Sequence, residues 1–253
     1  MLPGGSLLQN SLVNKGQLQF SLNYEYEFLT DPLYGTRSIP NINRERTNNT
    51  TTSVFAGYGV SDHLGLTLVI PFRSVTNEKL LLRGQNDNQY NGGKYVRQAS
   101  GTGDIVILAN YTPPFSDKLL GLTVGAGVKL ANGSIDAKDK YGERFSDNLQ
   151  IGTGSVDPVF SLMLSHARRG FAFSALLFTR ISTRDNIYGY KYGNELHSIL
   201  SVDYQGHELI KGGLDLNHLH TTRDRYQYGK ITRERVDNGL CWPPNWVSKW
   251  PTI

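Results

Sequence analysis

One cysteine in 253 residues excludes an intrachain disulfide framework and leaves no thiolate cluster for a metal. No run of about 18 apolar residues occurs, so no transmembrane helix is available. No segment holds a 3.6-residue apolar period across three turns, which excludes helical architectures. A formal charge of +4 and a pI of about 9.0 come from scattered Lys and Arg, not from a basic stripe. Nucleic acid is therefore not an expected partner. A Gly-x-Ser-x-Gly elbow is missing, and so is the Gly-Lys-Ser/Thr that would let a glycine loop cradle phosphate.

What the chain does have is alternation. From Gly16 to Phe28, Leu18, Phe20, Leu22, Tyr24, Tyr26 and Phe28 share one parity, while Gln17, Gln19, Ser21, Asn23, Glu25 and Glu27 share the other. Successive side chains of a strand point to opposite faces, so this segment carries one apolar and one polar face. The pattern recurs around residues 51–60, 64–70, 105–111, 120–130, 156–166, 171–181, 196–204 and 208–220, giving about nine strands. Residues 120–130 are the clearest: Leu120, Leu122, Val124, Ala126, Val128 and Leu130 alternate with Gly121, Thr123, Gly125, Gly127 and Lys129.

Connections alternate as well. Ser61-Asp62, Pro113 to Lys118, Arg168-Arg169-Gly170 and Gln205-Gly206 are short, whereas 29–49, 73–102, 131–155, 182–194 and 221–239 are long and polar. Tight turns at one end and extended loops at the other are the layout of an outer-membrane β-barrel. Strands of about 10 to 12 residues suit a tilted crossing of a bilayer. A hydrophobic content of 38% and a mean hydropathy of −0.37 fit, because only every second residue of such a strand meets lipid. Aromatics at 11% suit interfacial girdles. The expected fold is an all-β, antiparallel up-and-down transmembrane barrel over residues 1–239.

Two features are expected to leave that barrel incomplete. Met1 to Ser6 has neither the basic nor the apolar region of a signal peptide. Nine strands is an odd number, and the tail 240–253, with Pro243, Pro244 and Pro251, does not alternate. A start lying upstream, and strands lost by truncation or a frame change near Gly239, would account for both.

Thr52 to Leu64 (TSVFAGYGVSDHL), Gly101 to Tyr111 (GTGDIVILANY), Val124 to Leu130 (VGAGVKL) and Gly152 to Pro158 (GTGSVDP) resemble the MetA-pathway phenol-degradation family of outer-membrane barrels. The resemblance covers about residues 16–228. It implies a transporter in the bacterial outer membrane, with lipid, small and hydrophobic or aromatic solutes, and the barrel-assembly machinery as partners. It supplies no catalytic residue and no cofactor.

Several candidates for chemistry have plainer readings. The two Gly-Thr-Gly segments, 101–103 and 152–154, read as turns leading into strands. Asp104 and Asp157 beside them read as solvated or lumen-facing acids, with a calcium role as the alternative. His218 and His220, at i and i+2, share a face as paired ligands could, but a strand-end position explains them better. No serine or carboxylate stands near His197 or His207 at a spacing that implies a triad, although strands could assemble one. The polar parities carry the functional expectation: Glu25, Lys129, Asp203 and Lys211 face the lumen, and the two lysines opposing the two acids form a constriction selecting by charge and size. Salt bridges that merely cross-link the interior are the alternative. The expected function is passive diffusion of small solutes, with no enzymatic step, no cofactor and no metal. A soluble or surface β-sandwich that binds ligands is the competing reading, and a barrel hydrolase a third.

Overall fold

A computed structural model describes residues 14–30, 33–34, 37–38, 40–81, 93–114, 120–204 and 212–226. Its main element is one antiparallel sheet, built from β1 (Leu18–Leu29), β2 (Arg46–Gly59), β3 (Leu64–Leu81), β4 (Gly93–Thr102), β5 (Val106–Tyr111), β6 (Leu120–Lys129), β7 (Asp157–Arg168), β8 (Phe171–Arg180), β9 (Glu195–Tyr204) and β10 (Gly212–Thr221). Neighbours in sequence are neighbours in space, an up-and-down meander curled into a half-barrel. β4 and β5 both pair with β3 and form one strand interrupted at Gly103, Asp104 and Ile105, so the wall is nine strands wide. With nine, β1 and β10 run in the same direction and form the two edges of the described sheet.

The alternation decides which way each side chain points. On β1 the apolar parity lies outward on the convex face, with Phe20 66% and Leu22 67% exposed. Register carries that parity across the wall. Tyr58 faces Leu66, then Ala109, Ala126, Phe160, Thr179 and Leu196 in turn. One row over, Tyr111, Val124, Leu162 and Leu177 follow one another. At the turn end the Phe171 and Tyr204 rings lie 5.0 Å apart.

Local chemistry explains the turns. Arg168 pairs with Phe171, so only Arg169 and Gly170 form the loop, at φ of 50° and 82°. Two successive positive φ values make the type I′ turn whose twist matches that of a hairpin. On β6, a Cβ at Gly127 would lie 2.0 Å from the Ile107 carbonyl oxygen, and one at Gly125 2.1 Å from Ser161 Oγ. These glycines therefore permit the close approach of neighbouring strands.

Two sequence expectations are corrected. Residues 73–102 are not a polar loop: β3 continues to Leu81 and pairs with β4 from Phe72↔Thr102 to Leu81↔Gly93. Likewise Arg46 to Asn49 belong to β2, paired with β3 and, through Thr47, Asn48 and Asn49, with β1. Thr and Asn interrupt the apolar stripe in these stretches, and the inner face of the β3–β4 arm is covered by a loop, so the alternation that marks a strand is lost. The concave face is also less polar than expected. Phe55, Val69, Val106, Leu108, Val159, Met163, Leu176, Phe178 and Ile199 form a buried cluster there, reaching from β2 to β9. β5, β7 and β8 carry apolar residues on both parities, and the curl brings the inner ones into contact. The tail 240–253 lies outside the described residues.

Candidate functional site

Above the apolar layer, at the loop end of the concave face, the wall turns ionic. Lys129 closes β6, Asp157 opens β7, Arg180 closes β8 and Glu195 opens β9, so four strand ends deliver charge to one level. Register makes Lys129 face Asp157 and Arg180 face Glu195. Lys129 Nζ lies 2.8 Å from Asp104 Oδ2 and 3.3 Å from Asp157 Oδ2. Arg180 bridges Asp157 at 3.0 Å and Glu195 at 2.8 Å. Lys129, Arg180 and Asp157 are 3%, 1% and 0% exposed. Two cations meet three carboxylates with almost no water, and such a network is stable only when its remaining donors and acceptors find partners.

The loops supply those partners. Lys129 also donates to Thr153 Oγ1 at 2.5 Å and to the Ser155 carbonyl at 2.7 Å. Asp104 accepts from the backbone N–H of Gly133 and of Thr153, each at 2.9 Å. Asp157 accepts from Ser155 Oγ at 3.0 Å and from the Thr183 N–H at 3.1 Å. Arg180 reaches the Gly193 carbonyl at 2.9 Å. The two legs of the loop 131–156 cross at Gly133 and Gly152, where a Cβ on Gly152 would sit 2.3 Å from the Gly133 carbonyl oxygen.

Beyond the crossing, this loop spans the mouth. On one side Phe145, Leu149 and Ile151 pack on Val75 and Ala99 of the β3–β4 arm. Arg73 donates there to the Gln150 and Ile151 carbonyls, at 3.3 and 3.0 Å. On the other side it meets the loops after β8 and β10. Buried Asp147 accepts from Arg144 at 2.7 Å, Asn186 at 3.3 Å and the Tyr226 hydroxyl at 3.0 Å. Tyr192 donates to the Asp147 carbonyl at 2.7 Å, and Tyr190 to Asp224. Burial, reinforced by the neighbouring carboxylates, pushes the Tyr190 and Tyr192 hydroxyls well above the ordinary phenol range.

The sequence candidates are distributed unevenly over this arrangement. Glu25 and Asp203 lie on the concave parity, but apart from Lys129: Glu25 faces Thr51 in the β1–β2 ladder, and Asp203 sits beside Gly213 at the turn end. Lys211 is outside the described residues. Lys129 therefore meets Asp104 and Asp157 instead of the acids expected opposite it. Both of those aspartates are buried ion-pair partners, not solvated acids. His218 and His220 lie on the outward parity of β10 with Leu214 and Leu216. Among the described residues, no three His, Cys, Asp or Glu side chains cluster as metal ligands. Asp147, Thr153, Asn186 and Tyr192 went unread in the sequence. Thr153 lay within a Gly-Thr-Gly expected to be only a turn, and the two aspartates beside those segments, expected to be solvated or lumen-facing, both converge on Lys129.

Against models of known families the chain gives no match, and no curated protein matches it.

Proposed function

We propose that this chain is a bacterial outer-membrane channel giving passive passage to small, uncharged and predominantly apolar solutes. The observation that carries the reading is the convex face, where Leu, Val, Ile and aromatic side chains stand exposed on every strand from β1 to β10. Exposed apolar surface on that scale marks a site that meets lipid or another apolar partner. From Leu120 to Val128 the outward stripe on β6 is nine residues long, about 20–25 Å of height at a tilt of roughly 40°, close to the apolar band of a membrane barrel. No second sheet covers this face among the described residues, which a soluble sandwich would require. Within the described sheet β1 and β10 are the two edges, and hydrocarbon does not tolerate an open edge, so the reading also requires a filled seam.

The concave face supports the choice of solute. At the level of Phe55, Leu108, Met163 and Phe178 the inner side chains pack together, so a solute passes only as they part; an ion would shed its hydration there, whereas an apolar solute exchanges one apolar contact for another. No chemical step and no cofactor enter this reading. The likeness to the MetA-pathway family points to the same solutes.

Refolding into detergent tests it. The expected result is a band that migrates faster unboiled than boiled, a small ionic conductance in planar bilayers, and faster entry of apolar than of charged solutes into loaded vesicles. A detergent-free soluble monomer would end the proposal.

A further inference from the structure

We propose that the loop 131–156 is a closed lid over the mouth, latched at Asp147, and that releasing the latch opens the path. The inference rests on the channel reading above and adds its regulation. Three observations carry it. First, the loop is hinged at one place: its legs cross at Gly133 and Gly152, and Lys129 with Asp104 clamps the second leg through Thr153 and Ser155. Secondly, it spans the curl, docking Phe145, Leu149 and Ile151 on the β3–β4 arm and Asp147 on groups carried by β8, β9 and β10. Thirdly, the two attachments differ in kind. The arm contact is mainly apolar, supported by Arg73 and by the Tyr95 hydroxyl on Asp139. The far contact is polar and centres on Asp147: Asn186 and Tyr226, from two other loops, donate to its carboxylate beside Arg144 of the lid itself, Tyr192 donates to its backbone, and Tyr188 adds a bond to Asp136.

That difference decides which side lets go. The Asp147 carboxylate is buried; the Asn186 amide and the Tyr226 phenol reach it from two other loops, while the Arg144 guanidinium belongs to the lid itself. Removing the carboxylate leaves those donors without their shared acceptor, while the apolar docking on Val75 and Ala99 stays. The lid then swings on the β3–β4 side, with the Lys129 clamp as its pivot.

Two variants test this: Asp147→Ala removes the latch, and Tyr226→Phe removes one donor while leaving the aromatic packing. Each is refolded and checked for heat-modifiable migration, then read by trypsin cleavage between Lys138 and Arg144 and by single-channel conductance. The expected result for Asp147→Ala is unchanged heat-modifiability, faster cleavage and a severalfold rise in conductance, with Tyr226→Phe shifted the same way by less. Faster cleavage with wild-type conductance overturns the lid and leaves the channel standing. Heat-modifiable protein that conducts in no variant overturns the channel reading, and the lid with it.

Discussion

The turn half and the loop half of this wall share their strands but are held together differently. Toward the turns, one rule operates: apolar parity out, small or polar parity in, with Gly121, Ser165, Ser174 and Ser201 at successive positions across the concave face. Neighbouring strands suffice there, and each residue's environment follows from its place in the ladder. Toward the loops, Lys129, Asp157, Arg180 and Glu195 are buried charges whose partners come from segments far away in sequence, such as Asp104 and Thr153. A ladder can be repeated along a chain; a buried ion network closes only when every loop is in place.

The largest expected effect breaks the loop half alone. Arg180→Met removes the guanidinium that Asp157 and Glu195 share in a dry site, and should cost about 3–5 kcal/mol, read as a lowered midpoint in urea or heat unfolding of the refolded protein. Losing less than about 1 kcal/mol would mean that water already reaches the network.

The turn half and the middle of the wall are probed from outside by Leu162→Arg. If the convex face meets hydrocarbon, a cation there costs about 2–4 kcal/mol for folding into lipid. If that face meets water, the cost is near zero, as for other exposed positions. Comparing folding in vesicles with folding in water-filled micelle-free buffer separates the two.

Smaller in size is the expected effect of Gly127→Val. The added side chain collides with the β5 backbone at Ile107 and Leu108, and should cost about 1–3 kcal/mol by overpacking, seen as a lower heat-modification temperature.

The smallest effect concerns the lid and depends on pH. Tyr190 and Tyr192 have folded values raised above the unfolded phenol value of about 10, so their contribution is fully present below that pH. It declines as pH rises further, because the opened loops ionise first. Trypsin cleavage within 138–144 should therefore accelerate above about pH 10 while heat-modifiability holds, and Tyr192→Phe should flatten the rise.

How much of this was legible in the sequence varies with the range of the interaction. Leu18 to Phe28 declared its two faces, because period-two alternation is a local property that burial on one side enforces. The nine strands and the short turns at Ser61-Asp62 and Arg168-Arg169-Gly170 were placed for the same reason, while Gln205-Gly206 and most of Pro113 to Lys118 lie outside the described residues. The β3–β4 arm escaped, since Val75 and Asn77 are buried by a loop from elsewhere in the chain, and Thr76, Glu78 and Lys94 break the apolar stripe on the other face. Phe55 and Phe178 escaped as an inner apolar layer, because each occupies what looked like the polar parity until curvature brought them together.

The sequence by itself therefore determined the all-β class, the meander order and which side chains point outward, since all three follow from alternation and turn chemistry within about a dozen residues. Only the tertiary structure decided that Lys129 meets Asp104 and Asp157, that Arg180 is shared by two acids, and that Asp147 gathers three loops. Charge pairing in a buried site depends on distance and desolvation, and neither is encoded in the spacing of residues along a chain.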